Sequence, residues 1–176
     1  MFLMFKLNLK YWFYKIRFGK RLTISSPHKY KLPRLYLSGK ESTIKFDKNV
    51  KVESGGNISS YGGIITFGEN VFINFNSTIV SKKRIEIGNN TIIGPNVVIY
   101  DHDHDYKNGN EYIKNDKYKC KDVIIGENCW IGANCIILAG SEIGDNSVIG
   151  AGTLISGTIP PNSIVYDKRN KIIKEK

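Results

Sequence analysis

Histidine is scarce in this chain: only three of its 176 residues are His, and two of them, His102 and His104, stand one residue apart in Tyr100-Asp101-His102-Asp103-His104-Asp105. An ordinary imidazole titrates at about pH 6.5, so near neutrality it takes a proton from a hydroxyl and returns it to a leaving group, worth roughly 10² to 10⁴ in rate. In extended backbone successive side chains alternate, which sets both His on one side and Asp101, Asp103 and Asp105 on the other. Three readings fit the cluster. It is a general base with supporting carboxylates, or a His-x-His pair of zinc ligands, or a solvated loop with exposed His and no chemistry. A third His ligand would have to be His28, remote in sequence.

The thiols offer less. Cys120, Cys129 and Cys135 form no Cys-x-x-Cys and leave one thiol over in any pairing, which argues against a disulfide framework or a zinc knuckle and fits a reducing cytoplasm. Residues 55–63, rich in Gly and Ser, lack the Gly-Lys-Ser/Thr of a phosphate loop, so turn chemistry explains them better.

The elements that must position these residues are legible in a period of six. Ile recurs at 125, 131, 137, 143, 149 and 155, Gly follows it at 126, 132, 144 and 150, and a small residue stands four places on at Cys129, Cys135, Ser141, Ser147 and Thr153. The same phase runs through Phe67, Ile73, Ile79 and Ile85, then moves by two to Ile87, Ile93 and Ile99. Six is a multiple of the strand period and not of the helical one. Each hexad is therefore a short strand with one inward anchor and a turn eased by Gly or Asn, and three such faces close a coil of 18 residues, roughly 4.8 Å below the next. Cys129 and Cys135 then fall inside the core. The period is lost between Ile99 and Ile125, and excursions from a rigid scaffold are where function concentrates. The expected organisation is an N-terminal cap or membrane-contact segment over 1–40, a β-helix over 41–160 with a loop at 100–123, and a tail over 161–176.

Composition adds exclusions. The net charge is +10, with 41% hydrophobic residues in 19.9 kDa, ordinary for one globular domain. The cations are mostly Lys and spread along the chain, unlike the clustered Arg of nucleic-acid readers. Residues 1–21 are apolar and aromatic, but Lys6, Lys10, Lys15 and Arg17 interrupt them too often for a membrane span. No small-residue cleavage site follows, which argues against a signal peptide. The segment either lies on an anionic bilayer or caps the coils.

With the hexads in place, Asn74-Phe75-Asn76, the His-bearing excursion at 100–106, Trp130-Ile131-Gly132, Ile149-Gly150-Ala151-Gly152 and Ile159-Pro160-Pro161-Asn162 carry a resemblance. Over residues 65–176 the chain is similar to the left-handed β-helix, or hexapeptide-repeat, acyltransferases, in the branch of the galactoside, maltose and streptogramin acetyltransferases and the polysaccharide O-acetyltransferases. The resemblance implies an all-β, left-handed parallel β-helix with an N-terminal helical or irregular segment. It further implies a homotrimer with sites between subunits and acetyl-CoA as co-substrate, with no metal. It makes His102, the His of an Asp-His pair, the base, with His104 orienting it or touching the acceptor. Asn74, Lys82 and Asp101 correspond to the acceptor side. Trp130, Ala133, Ala151, Ser156, Lys171 and Lys174 correspond to the coenzyme side, although Tyr166-Asp167-Lys168-Arg169-Asn170 replaces the family's usual Gly-x-Pro-Ala ending. Where galactoside enzymes carry an Asp pair, Ser81-Lys82-Lys83-Arg84 stands here, which favours an acidic or lipid-linked saccharide. The expected activity is O-acetylation of a surface saccharide or its precursor in the cytoplasm, at the inner face of the membrane if residues 1–21 bind lipid. N-acetylation of an amino sugar nucleotide and a non-catalytic scaffold are the alternatives.

Overall fold

A computed structural model of the chain describes residues 2–25, 33–105 and 117–168, with side chains from Leu9 onward. The hexads form strands because every aliphatic anchor alternates with an outward residue. In Ile64–Phe67, for instance, Ile65 and Phe67 are buried while Ile64 and Thr66 are not. The strands fall on three parallel sheets, face A with seven strands and faces B and C with six each. Face A begins at Leu22–Ile24 and ends at Thr158–Ile159; face B runs from Arg34–Ser38 to Leu154–Ile155, and face C from Lys51–Val52 to Ile164–Val165. Along most of its length the chain visits A, C and B in turn, rising one strand per circuit. The result is the parallel β-helix expected from the period.

Register explains the shift of phase. Trp130 pairs with Val148 and Ile136 with Leu154, an 18-residue coil. Ile65 pairs with Ile85 and Phe67 with Ile87, a 20-residue coil. The return from face B to face A is two residues longer there, so both Ile85 and Ile87 point inward from one strand. The core is a column of aliphatic side chains, Ile73, Ile79, Ile85, Ile93, Ile99 and Ile125 among the fully buried ones, each worth roughly 1.5–3 kcal/mol on burial. Cys129 and Cys135 are buried in it, and burial pushes both thiols up.

The corners follow from backbone sterics. Between faces A and C, Asn70, Asn90, Asn128 and Asn146 hold φ of 59°, 57°, 55° and 58°, the left-handed region that Asn tolerates better than most residues. Their amides form a continuous ladder, Asn70 donating to Asn90 at 2.9 Å, Asn90 to Asn128 at 3.2 Å, Asn128 to Asn146 at 3.3 Å and Asn146 to Asn162 at 3.2 Å. At Gly132 a Cβ would come within 2.6 Å of the Ala151 nitrogen in the next coil. Glycine follows the anchor there because two coils touch.

Two boundaries differ from expectation. Strands begin at Leu22 and continue to Ile164–Val165, so the coils outrun the limits of 41 and 160 at both ends. The N-terminal segment is a helix, α1, Phe2–Phe18. Its Tyr14 and Phe18 join the core cluster beside Leu22 and Leu35, and the Tyr14 hydroxyl donates to the Pro33 carbonyl at 3.2 Å. One face of α1 therefore covers the first coil.

Candidate active site

The excursion leaves the solenoid at the corner between faces B and A. Tyr100 pairs with Val80 of the coil below, which sets Asp101 over Ser81. Asp101 is fully buried, and its two oxygens are taken up by that lower corner. Oδ2 accepts from Ser81 Oγ at 2.6 Å and from the Lys83 amide at 2.7 Å, and Oδ1 accepts from the Lys82 amide at 2.8 Å. Oδ1 also lies 2.9 Å from His102 Nδ1. Burial alone pushes the Asp101 carboxyl up, but the hydrogen bonds from His102, Ser81 and the two amides outweigh it and hold it below the usual carboxylate range. An ionised carboxylate only accepts, so Nδ1 carries the hydrogen, and the neutral ring presents a lone pair at Nε2.

Asp101 is the one expected site residue whose position contradicts its expected contact. The resemblance assigns it to the acceptor side; instead it precedes the strand, turns into the corner and holds His102. A buried carboxylate with every oxygen engaged cannot grip a sugar.

The excursion is also more regular than a polar loop. Its two ends pair as an antiparallel ribbon, His102–His104 with Tyr118–Cys120, matching His102 with Cys120 and His104 with Tyr118. The Lys121 amide donating to Asp101 O at 2.8 Å and the Asp105 amide donating to Lys117 O at 3.1 Å close the stem. Alternation within the strand turns both imidazoles toward Tyr118, whose ring centre lies 5.4 Å from that of His102 and 4.7 Å from that of His104. Tyr100 meets the other edge of His102 at 5.5 Å. Cys120, directly across the ribbon from His102, has its thiol pushed up chiefly by burial and then by Asp101, so it is a poor nucleophile. Among the described residues no group of three or more His, Cys, Asp or Glu converges as a metal site requires.

Lys82 joins the same cluster. Its ammonium lies 3.7 Å from the Tyr118 ring centre and 5.6 Å from that of Tyr61, in cation–π contact. The neighbouring cations are neutralised: Lys83 pairs with Asp122 at 2.9 Å, and Arg84 with Glu86 at 2.6 Å and Asp122 at 3.9 Å. The cationic edge expected from Ser81-Lys82-Lys83-Arg84 thus narrows to Lys82. Tyr118, Tyr61 and Tyr100 were not singled out from the sequence. Pairing the two ends of the excursion as a ribbon would have brought Tyr118 across from His104.

The remaining expected residues lie elsewhere. Asn74, Ala133 and Ala151 sit on the corner between faces C and B, with Asn74 Oδ1 accepting from the Phe75 amide at 2.8 Å. Trp130 stands on the outer side of face C, 57% exposed, between Ile92 and Val148. Ser156 is exposed on the corner that carries His102. Lys171 and Lys174 lie outside the described residues. One chain therefore unites Asp101, His102, His104 and Lys82 and leaves Asn74, Trp130, Ala133 and Ala151 across the width of face B.

Comparison with known proteins gives this frame a family. A family model described as bacterial transferase hexapeptide (six repeats) matches residues 122–157, and one described as hexapeptide repeat of succinyl-transferase matches residues 64–101. No curated protein sequence gives a match. Among solved structures, a maltose O-acetyltransferase from Clostridium difficile 630 is 37% identical, with 73% of this chain and 67% of that one covered at a TM-score of 0.59. A galactoside acetyltransferase in complex with coenzyme A is 35% identical over 74% of this chain and 65% of that one, TM-score 0.59. A hexapeptide-repeat-containing acetyltransferase from Vibrio cholerae O1 biovar eltor, complexed with acetyl coenzyme A, is 27% identical over 68% and 67%, TM-score 0.57. An identity of 37% across two thirds of the Clostridium enzyme, carried on the same stacked hexads, makes this chain a member of the hexapeptide-repeat acetyltransferases.

Proposed function

We propose that the protein transfers the acetyl group of acetyl-CoA to a hydroxyl of an acidic or lipid-linked saccharide, with His102 as general base. The observation that carries this reading is the Asp101–His102 pair at 2.9 Å. It fixes one tautomer and leaves Nε2 as the nitrogen that can accept a proton. Nε2 takes the acceptor's hydroxyl proton as the oxygen attacks the thioester carbonyl. The carbon–sulfur bond then breaks, and the departing thiolate receives that proton from the imidazolium. Backbone N–H groups along the groove would steady the oxyanion. Lys82, the cation of its corner without a carboxylate partner among the described residues, favours an acceptor bearing negative charge, and Tyr118 and Tyr61 offer the aromatic faces on which sugar rings pack.

The site needs a second copy. Asn74, Ala133 and Ala151 occupy a different edge of the prism from His102 and Trp130 stands on face C, so a neighbour's C–B corner facing this B–A corner would complete acceptor and coenzyme contacts. Small side chains at Ala133 and Ala151 leave room for a pantetheine arm against the backbone, and Trp130 supplies an apolar wall. Exposed Ile92, Trp130, Ile136, Leu154 and Ile164 on faces B and C give three copies an apolar surface to bury. Acetyl-CoA as donor and three free thiols favour the cytoplasm.

Thiol release from acetyl-CoA, measured against acidic saccharides, neutral saccharides and amino sugar nucleotides, tests the proposal. Turnover is expected with an acidic or lipid-linked hydroxyl acceptor. Turnover confined to amines would replace the reading with N-acetylation, and no turnover with any acceptor would favour a scaffold.

A further inference from the structure

Residues 1–40 contain ten Lys and Arg and no Asp or Glu, whereas residues 41–176 contain 16 of each. The entire net charge of +10 thus belongs to residues 1–40, and residues 41–176 are neutral. Within that segment, α1 is amphipathic twice over. The helical repeat of 3.6 residues sets Tyr11, Tyr14 and Phe18 on one side, where they pack on the first coil. It sets Leu9, Trp12, Phe13 and Ile16 on the opposite side, exposed by 66%, 62%, 56% and 81%. Lys10 and Arg17 flank that outer strip along one edge and Lys15 along the other; Lys20 and Arg21 follow at the helix end. Lys15 is held there by its bond to the Leu22 carbonyl at 2.9 Å.

We propose that the outer face of α1 docks flat on an anionic phospholipid bilayer. Capping the coils and binding lipid, alternatives when only the sequence is considered, use opposite faces of one helix and are compatible. An apolar strip edged by cations is the pattern of a helix lying in the interface, with its aromatic and aliphatic side chains below the headgroups and its cations at phosphate level. No helix among the described residues is long and apolar enough to cross a membrane, which leaves the interface as the depth this face reaches. Charge decides against a second copy as the occupant, since a contact of like with like would bring together two segments that each carry six cations and no anion over residues 2–21. The proposal stands independently of the acetyl-transfer reading.

The test is sedimentation of the purified full chain with vesicles of phosphatidylcholine alone and of phosphatidylcholine mixed with phosphatidylglycerol. Binding at least about tenfold tighter to the mixed vesicles, weakening as salt rises, is expected. The double variant Trp12→Ser with Ile16→Ser should lose binding while keeping the circular dichroism of the parent, because both side chains point away from the coils. Arg17→Gln with Lys20→Gln, a milder change, should weaken it severalfold and flatten the salt dependence. Equal binding to both vesicles, no binding to either, or full binding by both variants would overturn the proposal. So would a change in oligomeric mass in the serine variant without any vesicle binding by the parent, since the face would then belong between copies.

Discussion

Nδ1 of His102 is tied to a carboxylate that Ser81 and two backbone amides already hold in place, and this fixes the orientation of the ring. Replacing His102 with Ala is expected to lower acetyl transfer by about two orders of magnitude or more, with folding and coenzyme retention unchanged, since a lost general base is a kinetic loss. His104→Ala should cost less; the reverse order in a thiol-release assay would move the base to His104. Asp101→Asn should also cost about 10² or more in kcat, because an amide nitrogen toward Nδ1 favours the tautomer with its hydrogen on Nε2. The same substitution has a signature in stability. The folded carboxyl of Asp101 titrates below its ordinary value of about 3.9, so on acidification the unfolded chain takes the proton first. Its stabilising contribution is complete above that ordinary value and is lost as pH falls through the lower folded one. Urea midpoints of parent and Asp101→Asn should therefore stay separated from neutrality down to about pH 4 and converge below it. A gap unchanged at pH 3 would remove Asp101 as the titrating group.

At the level of elements, two devices hold the site rigid. One is the antiparallel stem that carries both imidazoles and Tyr118; Tyr118→Ala removes the ring shared by Lys82, His102 and His104. That variant should raise KM for the acceptor severalfold more than it lowers kcat, because the Asp101–His102 pair that holds the proposed base is left intact. The other device is the asparagine ladder at the A–C corner. Asn128→Ala gives up amide bonds to Asn90 and Asn146 and leaves at φ of 55° a residue that tolerates the left-handed region less well than Asn. A loss of about 2 kcal/mol in unfolding free energy is expected. Asn128→Gly, which accepts that φ freely, should lose less. Equal losses in a calorimetric comparison would show that the side-chain bonds and not the backbone conformation carry the corner.

At the scale of the whole molecule, His102 with Lys82 and Asn74 with Ala133 are on different edges of one prism, and no motion short of unwinding a coil brings them together. The shared site proposed above therefore requires assembly. Light scattering is expected to give three times the chain mass of 19.9 kDa, and mixing inactive His102→Ala with inactive Asn74→Asp chains should restore part of the activity through mixed interfaces. An active species of single-chain mass would refute the shared site. Such complementation is informative because each variant damages a different edge, leaving some interfaces in a mixed trimer with both edges unaltered.

The sequence by itself determined the coil, because a parallel β-helix is a local code: one inward Ile every sixth residue, a small neighbour at each bend and Asn or Gly where φ turns positive. It also marked Ile99 and Ile125 as the ends of an excursion that carries two of the chain's three His. The resemblance assigns Asp101 to the acceptor side. Only the stacking of Tyr100 over Val80 reveals that Asp101 lands on Ser81 and the amides of Lys82 and Lys83, a contact made across a whole coil. Tertiary structure likewise selected Lys82 from three consecutive cations, since the carboxylates that neutralise Lys83 and Arg84 come from Asp122 and Glu86. It also gave α1 two opposed apolar faces with separate uses. Which residue repeats is written along the chain, but which residue lies above another depends on the length of every corner between them.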